Sequence, residues 1–206
     1  MDNNKENVTT SQWFGKSGWI VAGSLSAAAA VLYFASMATY AYPGLSAHLA
    51  ALWHGLDVAP VMPYPLLRFF AGLFGYGNAI APVCGALSVG GLYIVAAWFL
   101  RTSFNDEEHS SGTNLSVVPR VGALAAAVVF MLTPCVRSAY SHIEPRGFDF
   151  TWAILSFLPV VAAGKCKGAV YWLLVSLSGV MAGLGFVDTP VFLALLPLLA
   201  AALVRS

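Results

Sequence analysis

Long apolar runs alternate with shorter polar segments along this chain, and several runs approach the ~20 residues that cross a hydrocarbon core as a helix. The pattern predicts an all-α protein, a polytopic membrane helix bundle that forms one domain over residues 1–206 and has the lipid bilayer as its main surroundings. The six predicted spans are about Gly18–Tyr40, Asn78–Leu100, Val121–Tyr140, Phe148–Ala163, Ala169–Phe186 and Thr189–Val204.

The segments outside these spans are a polar tail over residues 1–17, an outer loop over 42–77 and a polar linker over 101–120. The outer loop contains two apolar stretches, GLSAHLAALWHGL and PLLRFFAGLF, that are too short to span. Pro63 and Pro65 suit the first turn of a helix in the second stretch. We expect short amphipathic helices that lie at the outer membrane surface or pack on the bundle. The alternative is a lid that only covers helix ends.

Composition agrees with a membrane protein, because 59% of the residues are hydrophobic and 9% are charged, against about 25% charged in soluble domains. The net charge of +1 argues against a nucleic-acid partner, since no basic stripe is present to neutralise phosphates. Seven of the ten basic residues flank one side of the alternating spans, which predicts cytoplasmic placement of that side and of both termini. This set is Lys5, Lys16, Arg101, Arg120, Lys165, Lys167 and Arg205, and the opposite set is Arg68, Arg137 and Arg146.

The cysteines and the known short motifs restrict the function further. Cys84, Cys135 and Cys166 form no CxxC pair, and either a disulfide between Cys84 and Cys135 or free cysteines fit the sequence. No phosphate-binding loop, metalloprotease motif or serine-hydrolase motif is present. A transporter is weakly supported, because the spans hold few ionisable groups and no internal repeat.

The second predicted outer loop, RSAYSHIEPRGFDF, concentrates polar side chains. Arg137 and Arg146 suit a lipid phosphate, because a guanidinium donates two parallel hydrogen bonds. Glu144 or Asp149 is a candidate general base, and His142 lies between the arginines. The alternative is that arginine–carboxylate pairs only hold the loop together.

The first outer loop contributes candidate ligand-binding residues. Trp53 is a candidate for stacking on a ligand, and His48 and His54 are candidate cleft residues. A two-histidine metal site is not predicted, because positions i and i+6 do not share a helix face. Asp188, before Thr-Pro at the end of the fifth span, has the position of a helix cap.

The order of these parts resembles the protein O-mannosyltransferase-like bacterial membrane family, whose members are similar to GT-C glycosyltransferases. The resemblance begins with Pro43-Gly44 and continues with a small-residue segment up to Leu56. It then covers the proline pattern around Tyr64-Pro65-Leu66 and ends with GLGFVDTPVFLALLPLL. It covers most of the chain from about residue 18 onward. The acidic pair that the family places after Pro-Gly is replaced by LSAH in this chain, and Asp57 is the only acidic residue of the loop.

The resemblance implies a bacterial inner-membrane glycosyltransferase, or a degenerate relative, that uses a polyprenyl-phosphate-linked sugar at the outer face. Asp57 and Glu144 would be its catalytic residues, and a divalent cation is possible by the same resemblance. Substrate-binding residues would be His48, Trp53, His54, Arg137, His142, Arg146 and Asp149. The alternative is a non-catalytic membrane protein that binds a lipid carrier or is a subunit of a larger membrane assembly.

Overall fold

A computed structural model describes residues 16–37, 47, 51, 65–74, 77–111, 117–142, 144–164 and 166–188 of the chain. Every regular element in this part of the chain is a helix, which confirms the predicted all-α class. The helices are α1 Lys16–Ala35, α2 Pro65–Phe74, α3 Gly77–Ser111, α4 Val118–Leu132, α5 Pro134–Ser141, α6 Pro145–Ala163 and α7 Ala169–Asp188.

Three helices are long and apolar enough to cross a membrane, with candidate spans Ser17–Ala35, Ala79–Ser103 and Pro145–Ala163. A fourth span results if the bent pair of α4 and α5 is one span, and α7 contains a shorter apolar segment. The described residues therefore support a membrane-spanning helix bundle with three or four spans. The sixth predicted span, Thr189–Val204, lies outside the described residues.

The predicted third span, Val121–Tyr140, is not one continuous helix. Helix α4 ends at Leu132 and α5 begins at Pro134, with a bend of 61° between them. Thr133 between the two helices has extended backbone angles, φ −61° and ψ 127°. Proline disfavours helical angles in the preceding residue and has no N–H to donate into the turn before it. The Thr133-Pro134 sequence therefore accounts for the bend.

Helix α3 is longer than the predicted second span. It continues through Ser111, so that the first half of the polar stretch predicted as a linker is helical. Helix α2 begins at Pro65, as the proline pattern predicted, and it packs on the bundle. The ring of Phe70 lies 5.9 Å from Phe148 and 5.4 Å from Trp152, and Leu67 is fully buried.

The contacts between helices show their relative directions. Gly85 of α3 faces Tyr33 of α1 while Gly90 faces Ser26, so α1 and α3 are antiparallel. Gly122 of α4 faces Leu100, near the other end of α3.

Helices α3 and α6 run in the same direction, because Thr151 of α6 contacts Ser88 and Ile154 faces Gly91. Helix α7 runs antiparallel to α6, since the Trp152 indole N–H donates to the Met181 carbonyl and the Ser178 hydroxyl donates to the Ser156 carbonyl.

These directions give the bundle two ends with different sequences. We call the end at which α1 begins the near end and the opposite end the far end. Among the described residues, the near end has Lys16, Arg101, Arg120 and Lys167, and the far end has Arg68, Arg137 and Arg146. This division agrees with the two flanking sets in the sequence. That the near end faces the cytoplasm remains a prediction of the charge bias.

Candidate functional site

Glu144 occupies the position immediately before α6 at the far end of the bundle. Its backbone is extended, with φ −138° and ψ 130°, because Pro145 follows it and starts the helix. Its side chain does not cap the helix and contacts other polar groups. The Oε2 atom lies 3.8 Å from Nε2 of His142, and Oε1 lies 3.7 Å from Nε of Arg146.

Exposure differs strongly among the three side chains of this far-end cluster, which consists of His142, Glu144 and Arg146. The Arg146 side chain is 88% exposed, the Glu144 side chain 26% and the His142 side chain 10%. The exposed pair of Arg146 and Glu144 contributes little stability, about 0–1 kcal/mol. The guanidinium of Arg146 therefore remains accessible to a ligand anion at the surface.

A small cleft lies directly beneath this cluster. Glu144 forms part of its wall together with Leu67 of α2, Cys84 of α3, Tyr140 of α5 and Phe148 of α6. Four helices thus meet at the cleft, and α2 covers it from one side. Among the described residues that line the cleft, Glu144 is the one acidic residue, and the others are largely apolar.

Three buried hydroxyl groups connect the helices below the cleft. The Ser88 Oγ atom lies 2.7 Å from the Tyr140 hydroxyl and 2.8 Å from Oγ1 of Thr151. Thr151 donates to the carbonyl of Gly147 at 2.8 Å or of Cys84 at 3.2 Å. The side chains of this hydroxyl cluster, Ser88, Tyr140 and Thr151, are at most 3% exposed. Hydrogen bonds of this kind hold helices together in lipid, each worth about 0.6–2 kcal/mol.

Two glycines permit the close packing around this hydroxyl cluster. A Cβ atom on Gly85 would lie 2.5 Å from the Tyr33 ring and 2.8 Å from the Tyr140 ring. A Cβ atom on Gly147 would lie 2.8 Å from the carbonyl oxygen of Ala139. Helices α1, α3, α5 and α6 can therefore approach each other only because these two positions lack side chains.

The structure brings together three of the residues predicted from the second outer loop, namely His142, Glu144 and Arg146. The predicted arginine–carboxylate pairing occurs between Glu144 and Arg146. Arg137 is exposed on α5, within electrostatic range of Tyr33. Asp149 lies in the first turns of α6, is half-buried and makes at least one polar or electrostatic contact.

The predicted residues of the first outer loop, His48, Trp53, His54 and Asp57, lie outside the described residues. In the part of the chain that is described, no three histidine, cysteine or acidic side chains lie together as metal ligands. The three cysteines are free, with Cys84 buried and Cys135 exposed, so the disulfide alternative is not formed.

The sequence prediction missed the hydroxyl cluster of Ser88, Tyr140 and Thr151. The available signal was weak, because isolated serine and threonine residues within apolar runs are common in membrane helices and do not specify a partner. Tyr140 and Thr151 follow Ser88 by 52 and 63 positions in the sequence, and only the helix packing brings the three residues together.

Comparison of the chain with protein-family models, with curated proteins and with solved structures gives no match. The resemblance to GT-C glycosyltransferases therefore stays a prediction from the sequence.

Proposed function

We propose that this protein binds a polyprenyl-phosphate-linked sugar at the far end of the bundle, as a GT-C-like membrane glycosyltransferase or a degenerate relative. The observation that supports this proposal is the far-end cluster, in which an acidic group on a cleft wall adjoins an exposed guanidinium. The membrane-spanning helices supply the lipid surroundings in which a polyprenyl chain dissolves.

The carrier phosphate would bind to the arginines. Arg137 and Arg146 lie on the neighbouring helices α5 and α6, and both are exposed at the same end of the bundle. A guanidinium matches the geometry of a phosphate and keeps its charge at all physiological pH values. Because the far end also contains the cleft, a phosphate on these arginines would place the attached sugar close to Glu144.

Glu144 is the described residue that fits a catalytic role. General-base catalysis requires a base, such as a carboxylate, within hydrogen-bond reach of the proton that it removes. Glu144 lines the cleft, and its carboxylate lies between His142 and Arg146, 3.8 Å and 3.7 Å from their nearest nitrogen atoms. Asp57 is the second proposed catalytic residue, by resemblance alone.

A non-catalytic carrier-binding protein, or a subunit of a larger assembly, is the second candidate. The observation that favours it is the narrowness of the cleft, whose walls of Leu67, Tyr140 and Phe148 are close together. Binding of the phosphate at the surface arginines does not require the cleft to open, whereas sugar transfer next to Glu144 does.

Native mass spectrometry with polyprenyl phosphate tests carrier binding. We compare the wild-type protein with Arg137→Gln/Arg146→Gln at the far end and with Arg101→Gln/Lys167→Gln at the near end, which removes the same charge. The proposal expects saturable binding that is lost only in the far-end variant. Equal binding by both variants, or loss only in the near-end variant, contradicts it.

A transfer assay with Glu144→Gln separates the two candidate functions. Glutamine has nearly the same shape as glutamate but cannot accept a proton as a base. If the protein is a transferase, the wild-type protein transfers the sugar. Glu144→Gln then binds the carrier but transfers the sugar at least ~100-fold more slowly, because general-base catalysis contributes that much or more. Carrier binding without transfer by the wild-type protein supports the non-catalytic candidate. Unchanged transfer in Glu144→Gln excludes the proposed role of Glu144.

A further inference from the structure

An open groove runs along the bundle surface at the near end, between α1, α3 and α4. Its apolar walls come from Val21 of α1, Tyr93 of α3, and Val121 and Leu124 of α4. Ser17 and Gly18 of α1 and Arg120 of α4 are its remaining lining residues. The groove has a volume of about 160 Å³, smaller than the about 300–1,000 Å³ of a site that encloses a whole small molecule.

The groove lies on a surface that faces lipid. Val121 is 58% exposed and Leu124 is 40% exposed, and both belong to an apolar helix of the membrane bundle. Trp19 is 60% exposed in the first turn of α1, a position at which indole rings lie at the level of the lipid headgroups. Since Ser17 and Gly18 line the groove together with Arg120, the guanidinium lies close to this same level.

One end of the groove favours negative charge for two reasons. Arg120 supplies a permanent cation, and it lies in the first turn of α4. The first N–H groups of a helix have no partner within the helix and carry partial positive charge. Val117 at the N-cap provides no side-chain hydrogen bond to these groups. An anion at this position would therefore contact a guanidinium and a helix amino terminus together.

We propose that the groove is a binding site for an anionic membrane phospholipid. The lipid phosphate binds to Arg120 at the headgroup level, and an acyl chain lies along Val21, Val121 and Leu124. Charge complementarity and the continuous apolar wall both support this occupant. Basic pockets between membrane helices bind anionic headgroups in the same way on the cytoplasmic side, which is the side predicted for the near end.

The acyl chain distinguishes this site from one for free phosphate. A free phosphate ion would use only Arg120 and the start of α4, and would leave the apolar walls in contact with other lipids. A phospholipid satisfies both parts of the groove. This site is independent of the carrier site proposed at the far end, because the two lie at opposite ends of the bundle.

Native mass spectrometry of the protein in detergent, with phosphatidylglycerol or phosphatidylcholine added, tests the proposal. We compare wild-type protein with Arg120→Gln, which removes the proposed phosphate ligand, and with Lys167→Gln, which removes the same charge at the same end but outside the groove. A third variant, Val121→Trp, places a larger side chain in the apolar part of the groove and leaves all charges unchanged. Circular dichroism confirms that each variant is folded.

The proposal expects phosphatidylglycerol to bind with higher affinity than phosphatidylcholine, about fivefold weaker binding in Arg120→Gln, and no change in Lys167→Gln. Val121→Trp should also weaken binding, and millimolar inorganic phosphate should not displace the lipid. Equal affinities of Arg120→Gln and Lys167→Gln would overturn the proposal. Displacement by inorganic phosphate, or wild-type affinity in Val121→Trp, would also overturn it, since either result would show that no acyl chain occupies the groove.

Discussion

Replacing Gly85 by alanine should destabilise the bundle, because the position has no room for a methyl group. The new Cβ atom would lie 2.5 Å and 2.6 Å from two ring carbons of Tyr33, and 2.8 Å from Cγ of Tyr140. Carbon atoms in contact prefer separations of about 3.5–4.0 Å. The two rings would therefore have to retreat by roughly an ångström, or the helices would have to separate.

Neither ring can retreat freely. The Tyr33 hydroxyl donates to the Met131 carbonyl at 3.2 Å, and the Tyr140 hydroxyl lies 2.7 Å from Ser88. Both side chains are at most 2% exposed. Inserting a methyl group into such a core costs about 1–3 kcal/mol. For a chain of this length, that loss corresponds to a melting temperature that is about 2–12 °C lower.

Gly23→Ala on α1 is the matched control, because nothing lies within 4 Å of the Cβ atom that it adds. Alanine is a better helix former than glycine by up to about 1 kcal/mol. The control should therefore melt at or slightly above the wild-type temperature. Thermal circular dichroism in one detergent, at one scan rate, provides the comparison. If Gly85→Ala melts as high as Gly23→Ala, the described packing of α1 and α3 is wrong.

Two further predictions use the buried groups around the hydroxyl cluster. Tyr140→Phe removes a hydroxyl that contacts two others, and we expect a loss of about 0.6–2 kcal/mol in the same melting assay; an unchanged melting temperature would contradict these hydrogen bonds. Cys135 is exposed and Cys84 is buried, so a maleimide should label the folded protein at Cys135 and reach Cys84 only on unfolding. Equal labelling rates at the two cysteines, measured by peptide mass spectrometry, would disagree with the described fold.

The apolar runs predicted the helix ends well where polar or turn residues flank the run. The second span was predicted to begin at Asn78 and begins at Gly77, and the fifth begins at Ala169 as predicted. The bend at Thr133 was missed because apolar residues continue on both sides of it, although the following proline is a local signal for a break. The helical extension to Ser111 was missed because a polar sequence without apolar periodicity does not distinguish a helix from a linker.

The candidate site could be predicted only in part. His142, Glu144 and Arg146 are close in the sequence, so their proximity follows from the chain itself. Ser88 and Thr151 meet because α3 and α6 run side by side in the same direction, and no local pattern contains that information. Long-range packing of this kind depends on the glycines that allow close helix approach, which the sequence does not match to particular partners.

Photocrosslinking with a diazirine-bearing polyprenyl phosphate tests the central claim, carrier binding at the far end, most directly. The probe is added to the full-length protein in lipid nanodiscs, and the crosslinked peptides are mapped by mass spectrometry. The account predicts crosslinks in the segment from Arg137 to Asp149, and competition by unlabelled polyprenyl phosphate. Absence of crosslinks from this segment, or crosslinks there that persist at the same level in Arg137→Gln/Arg146→Gln, would contradict it.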